Sequence, residues 1–280
     1  MRAGSSVHER EIVIRPAREA GGLDPGELWR TRHILRALVW RSVRNRFADT
    51  YLGVAWLCVR PLLFVLVFVT FKRLSNADPH VEIPYPLYVY SGLILWYYLI
   101  ESASEAAGAV TVDAALLKKV YYPRIYTPLT PILANLTGLG VALIPLAAMM
   151  AWYGVSPGPR LLLLPVVGVQ AVSLALGIGA LVASLTLGSR DWERALGFLF
   201  YLGLFVSPVI YAAEMIPAAF RPVYFFNPFA GTLLAFRSVL FADQPFPVWE
   251  WAYAVVFSAV MCAIGLRAFR LAEAELADRL

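Results

Sequence analysis

Apolar residues gather in this chain into segments of about twenty, the length a helix needs to cross a hydrocarbon layer of ~30 Å. They run from Tyr51 to Phe71, Tyr85 to Ala107, Thr127 to Tyr153, Leu161 to Leu187, Ala195 to Ala212 and Trp249 to Phe269. A large soluble core is built from shorter apolar runs broken by polar turns. Hydrophobic residues make up 60% of the 280 and charged residues 15%, against about a quarter charged in soluble domains. Mean hydropathy is +0.66. Between the last two segments the chain stays apolar, but Pro217, Pro222, Pro228, Pro245 and Pro247 interrupt it, and its longest clean piece, Phe229 to Phe241, is too short to cross. The pattern predicts an all-α integral membrane protein. Six transmembrane helices occupy residues 51–270, with short re-entrant periplasmic helices between the fifth and sixth, in residues 213–247.

Ahead of the first segment, residues 1–25 are polar and rich in glycine and proline, which predicts a flexible tail and no signal peptide. Residues 26–50 read as an amphipathic helix. Ile34, Leu35, Leu38, Val39 and Val43 share one face and Arg30, His33, Arg41 and Arg44 the other, while Arg46 intrudes on the apolar face. A basic helix of this kind lies in the cytoplasmic interface, drawn there by anionic lipids. Orientation follows from the lysine and arginine bias. The N-terminal segment, Lys118, Lys119, Arg124, Arg190, Arg194, Arg267, Arg270 and Arg279 lie on one side, with only Lys72, Arg73, Arg160, Arg221 and Arg237 opposite. Both termini, including the tail at 271–280, are therefore expected inside. The net charge of +5 is spent on topology, which argues against nucleic acid as a partner. Cys58 and Cys262 both fall in apolar runs, so neither a disulfide framework nor a metal site is expected.

Four constellations stand out. The loop at 112–126 carries Lys118, Lys119, Tyr121, Tyr122, Pro123 and Arg124, an apolar-aromatic element among basic residues; it suits a groove on a soluble partner, or simply anchors the chain at the headgroups. Arg60 and Glu101 fall inside expected spans, with Glu105 nearer the cytoplasmic end of the second. Charges at that depth pair or face a wet cavity, and Arg60 can alternatively snorkel to the headgroups. Tyr88, Trp96, Tyr97, Phe198, Tyr201 and Phe205 are aromatics in the second and fifth segments. Such rings stack on the C–H faces of sugars, or serve as interfacial belts and lipid-facing bulk. Finally, Pro208 ends the fifth segment, Asn227-Pro228 marks a turn, and Tyr211, Glu214 and Arg237 are the polar groups of the apolar stretch around them.

Several blocks resemble one family. RSVRNRFADTYLGVAW (Arg41–Trp56), SGLILWYY (Ser91–Tyr98), KKVYYPR (Lys118–Arg124), RDW (Arg190–Trp192), SPVIYAAEMIP (Ser207–Pro217) and NPFAGTLLAFRSVLF (Asn227–Phe241) are similar, in this order, to blocks in the permeases of type-2 ATP-binding-cassette exporters of O-antigen, capsule and teichoic acid. Tyr122 stands where that family more often has phenylalanine, and Arg60 adds a charge to the first span. The resemblance implies a bacterial inner-membrane transport subunit, itself no enzyme, that pairs with a second copy and with two nucleotide-binding subunits. Its substrate would be a lipid-linked polysaccharide. The chain has no phosphate-cradling G-x-x-x-x-G-K-[ST] segment, so ATP and Mg are expected on those partners. The loop from Lys118 to Arg124 would contact the ATPase, with Arg190 and Asp191 on the same side, and the stretch holding Pro208, Tyr211, Glu214, Asn227, Pro228 and Arg237 would gate the outer mouth. The alternatives are a type-2 permease for a small-molecule drug or lipid, a secondary transporter, and a membrane-embedded transferase. No internal repeat favours the second, and no D-x-D or H-E-x-x-H pattern favours the third.

Overall fold

The computed structural model describes residues 25–47, 53–75, 81–112, 122–217 and 219–279. Among these, all regular structure is helical. The helices are α1 (Pro25–Arg30), α2 (Arg32–Phe47), α3 (Trp56–Ser75), α4 (Tyr85–Val112), α5 (Tyr126–Tyr153), α6 (Leu164–Thr186), α7 (Asp191–Val206), α8 (Arg221–Phe225), α9 (Pro228–Leu240) and α10 (Val248–Arg279), with 3₁₀ turns at Gly53–Ala55, Pro159–Leu163 and Ala213–Met215. Their ends follow local chemistry. Helix α5 stops at Gly154, whose left-handed φ of 69° closes the turn: its own N–H donates to the Ala151 carbonyl and that of Val155 to the Met150 carbonyl. Helix α9 starts at Asn227, whose side chain accepts from the Phe229 N–H at 3.0 Å, with Pro228 in the first turn.

Four helical stretches are long and apolar enough to cross a membrane: Gly53–Ser75, Tyr126–Tyr153, Pro159–Thr186 and Val248–Ala272. The two other expected spans differ for separate reasons. Helix α4 has 28 residues, about 42 Å at 1.5 Å per residue, so length is not what it lacks. It is diluted by tyrosine, serine, Glu101 and Glu105. Helix α7 has only 16 residues and ends at Val206, because Ser207 turns extended before Pro208; the expectation had carried it on to Ala212.

The dilution of α4 makes sense from its place. It is the central helix, packed against α3, α5, α6, α7 and α9, and every residue from Leu87 to Trp96 is buried. A helix surrounded by protein has no need of uniform hydropathy. Helix α10 packs along α6 and against α9. Glycines set these distances. A Cβ on Gly265 would collide with the Gly177 carbonyl, and one on Gly231 with the Glu250 carbonyl, the close backbone approach that small residues permit between membrane helices. Polar glue reinforces it: Gln170 on α6 donates to Thr232 on α9 at 3.0 Å and to Ser258 on α10 at 2.8 Å.

The outer surface is apolar. Helix α3 exposes Leu63, Leu66, Val67 and Phe71, and α7 exposes Phe198, Leu199, Tyr201, Leu202, Phe205 and Val206, burying mainly Leu196 and Phe200. Faces of this size meet lipid or another protein surface.

Candidate functional site

Around the lower half of α4, polar side chains from four helices meet. Tyr97, Glu101 and Glu105 are spaced four apart on α4 and so share one face. Facing them are Arg46 from α2, Trp56 and Arg60 from α3, and Asn135 from α5, around a cavity of about 380 Å³. Arg46 donates to the Asn135 side-chain oxygen and to Glu105 Oε2, and Asn135 Nδ2 completes the triangle to Glu105 at 3.3 Å. Arg60 donates to Glu101 Oε1, and its guanidinium lies 4.9 Å from the centre of the Tyr97 ring. Of the two readings left open by the sequence for Arg60, the structure has the ion pair. Arg46 and Asn135 were not expected as site residues, and Glu105 was noted only as a charge near the end of the second span. The signal was Arg46, a charge on the apolar face of α2, which turns that face toward α5 and the interior.

At the same end lies the loop region before α5. Lys118, Lys119 and Tyr121 fall outside the described residues. Tyr122 is buried, its hydroxyl 3.3 Å from that of Thr127, and Pro123 and Arg124 lead into α5, half-buried. Tyr126 donates to the Leu28 carbonyl at 2.9 Å and sits 2.8 Å from the Thr31 hydroxyl, tying α1 and the start of α2 to α5. Arg190 precedes α7 and is exposed. Asp191 pairs with Arg194 at 3.1 Å on the surface and also accepts from the Ser189 hydroxyl at 3.1 Å. Glu105 also lines a second cavity, of about 500 Å³, between Leu38, Arg41, Gly108, Pro131 and Glu193.

The opposite end of α4 carries a tighter knot. Arg237 on α9 is fully buried. It donates to the Pro208 carbonyl, to the carbonyls of Val209 at 2.8 Å and Tyr88 at 2.9 Å, and to Ser91 Oγ at 3.3 Å, while stacking 3.5 Å over the Tyr88 ring. Burial pulls its pKa down, and the nearby Tyr88, Tyr224 and Glu214 oppose that. The same turn is held by Tyr88, which donates to the Tyr211 carbonyl at 2.8 Å, and by Tyr85, which donates to that of Ile210 at 3.1 Å. Asn227 donates to Ser207 at 2.8 Å. The carbonyls freed where α7 breaks thus find donors from α4 and α9, as a backbone away from water requires. Glu214 is exposed, its carbonyl taken by Arg221 at 3.0 Å.

The aromatic residues divide. Tyr88 belongs to the knot. Trp96 is buried edge-on to Phe229 at 5.4 Å and Phe200 at 6.5 Å. Tyr97 lines the polar cavity, and Phe198, Tyr201 and Phe205 point outward from α7.

Comparison with known proteins places this arrangement. Residues 33–241 match the model of the ABC-2 type transporter family. The chain is 26% identical over 208 residues to the O-antigen export system permease protein RfbA of Klebsiella pneumoniae, covering 74% of this chain and 79% of that one. Identity to the protein of the same name from Myxococcus xanthus is 26% over 221 residues, 78% of this chain and 84% of the relative. The capsule polysaccharide export inner-membrane protein CtrC of Neisseria meningitidis is 20% identical over 236 residues, covering 84% and 89%. A match that runs from α2 to the end of α9, through both the polar cavity and the Arg237 knot, settles the assignment: the chain belongs to the ABC-2 type transporter family.

Proposed function

We propose that this chain is the channel-forming permease of an ATP-driven exporter that carries a lipid-linked, O-antigen-like polysaccharide across a bacterial inner membrane. The observation that carries the reading is the family match, together with relatives named as an O-antigen export system permease and a capsule polysaccharide export inner-membrane protein. In this reading α4 and α7 complete a set of six spans with the four longer apolar helices. Helices α8 and α9 dip back from the periplasmic side, and both termini lie in the cytoplasm. Two copies pair, and the outward aromatic face of α7, with Phe198, Tyr201 and Phe205, lines the path or the seam between them. Rings of this kind let a polymer slide without gripping one repeat tightly.

The energy comes from two partner subunits that hold ATP and Mg. Contact with them falls to Lys118, Lys119, Tyr121, Tyr122, Pro123 and Arg124, assisted by Arg190 and Asp191. Tyr122 and Tyr126 suit that role, because a push on the loop reaches α5 through the first and α1 and α2 through the second. Movement of the bundle then opens the outer end, where Pro208, Tyr211, Glu214, Asn227, Pro228 and Arg237 form the gate.

Deletion of the gene in a polymer-making host tests the whole reading. Surface polymer should vanish while lipid-linked polymer accumulates inside, and plasmid-borne permease should restore export. Unchanged surface polymer in the deletion strain would overturn it.

A further inference from the structure

Taking the export reading as given, we propose that the cavity between α2, α3, α4 and α5 is a carbohydrate-binding subsite. There the permease recognises a sugar unit of its lipid-linked substrate, before the polymer enters the path across the membrane. Arg46 and Arg60 face Glu101 and Glu105 around one cavity, so its formal charge is zero. A site for a bare anion such as a diphosphate would carry unopposed arginines, and a cation site unopposed carboxylates. A neutral polyhydroxyl ring needs what is present: planar donors and acceptors side by side, two guanidiniums, two carboxylates and the Asn135 amide.

Aromatic surface accompanies them. Trp56 is 51% exposed and lines the cavity with Tyr97, offering flat faces to sugar C–H groups. The volume of about 380 Å³ lies within the ~300–1,000 Å³ of ordinary small-molecule sites.

The alternative assignment is a pair of ion bridges that only hold helices together. Bridges with that single duty gain by being sealed, since charges at membrane depth are costly. These are not sealed: side-chain exposure is 53% and 30% for Arg60 and Glu101, and 21% and 42% for Arg46 and Glu105. The open edges of the charged groups are the hydrogen-bonding capacity that a sugar would use.

The test uses the full exporter in a polymer-making cell fed radiolabelled sugar. A photo-crosslinking benzoylphenylalanine replaces Leu139, which lines the cavity, or Trp152, which is exposed at the far end of α5. Irradiation should attach labelled glycan to the permease from position 139 and not from 152. Export with an adduct at 139 that holds lipid or diphosphate but no sugar, or with no adduct, would overturn the subsite while leaving the export reading intact. Surface polymer independent of the permease would remove the export reading instead. A second variant decides where the bulky probe blocks insertion. The exchange R60E/E101R preserves an ion pair and inverts donor and acceptor positions. A protein that inserts normally but exports roughly tenfold less, the ratio about 1.4 kcal/mol represents, supports the subsite. Full restoration of export, or failure to insert, would assign the pair to folding and overturn it.

Discussion

Two arginines on apolar helix faces have opposite consequences. Arg237 is wrapped by carbonyls and an aromatic ring with no carboxylate partner among the described residues, so its worth lies in hydrogen bonds that no other residue type can make together. Arg237→Met should lower stability by several kcal/mol, because each buried acceptor left bare costs about 1–3 kcal/mol. Arg237→Lys should recover little, since one ammonium cannot follow carbonyls that diverge around a planar fork. Thermal midpoints from fluorescence-detected gel filtration would check both, and a lysine variant as stable as the parent would contradict the account. Arg46 and Glu105 are both partly exposed, and a double-mutant cycle of Arg46→Ala with Glu105→Ala should give a coupling near the lower end of the ~0.5–3 kcal/mol typical of contacting pairs. Additive effects of the two substitutions would show that the pair contributes nothing jointly. Arg46 also marks how far the sequence reaches. Its breach of the α2 face was visible, but Glu105 and Asn135 lie on helices far along the chain. No local periodicity joins residues separated by 59 and 89 positions.

At the scale of elements, existence and order were legible, because an apolar run of twenty residues is unambiguous. Surroundings were not. Hydropathy treats lipid and protein interior alike, so nothing marked α4 as the hub, and nothing separated Tyr88 and Trp96, which are buried in the protein, from Tyr97, which lines the polar cavity. The stop in α7 was half legible: Pro208 signalled it, yet the apolar residues beyond it extended the expected span past the true break at Ser207. Helix contacts also make predictions. Gly265→Leu should push α10 from α6, since even a Cβ there strikes the Gly177 backbone. The expected result is loss of folded protein from the membrane fraction, whereas Gly140→Leu, where a Cβ meets nothing, should be neutral. Equal yields of the two would sink the close-packing argument. Tyr126→Phe should loosen α1 and α2 from α5 by removing the donor to the Leu28 carbonyl. Limited proteolysis in membranes should then cut near α1 several-fold faster; unchanged cleavage would count against the tie.

For the whole molecule, the family was the most legible property, since the blocks that carry it run in order along the chain. Assembly was the least, because the proposed contact with an ATPase involves a second protein whose surface the chain does not encode. Tyr122→Ala and Arg124→Glu should each reduce surface polymer at least tenfold, equivalent to about 1.4 kcal/mol of coupling, while the permease inserts and the partner still hydrolyses ATP. Polymer export and ATPase rate measured on the same membranes would check this. Normal export in both would defeat the coupling role.

The Arg237 knot has a further consequence for the cost of opening. Drawing α9 away from the end of α7 takes from the Pro208 and Val209 carbonyls the guanidinium that serves them, and in a bilayer only water can replace it. If this end is the proposed gate, its opening is therefore a hydration step, and the equilibrium depends on water activity. An osmolyte too large to enter should favour the closed state, and the number of waters taken up can be read from the slope.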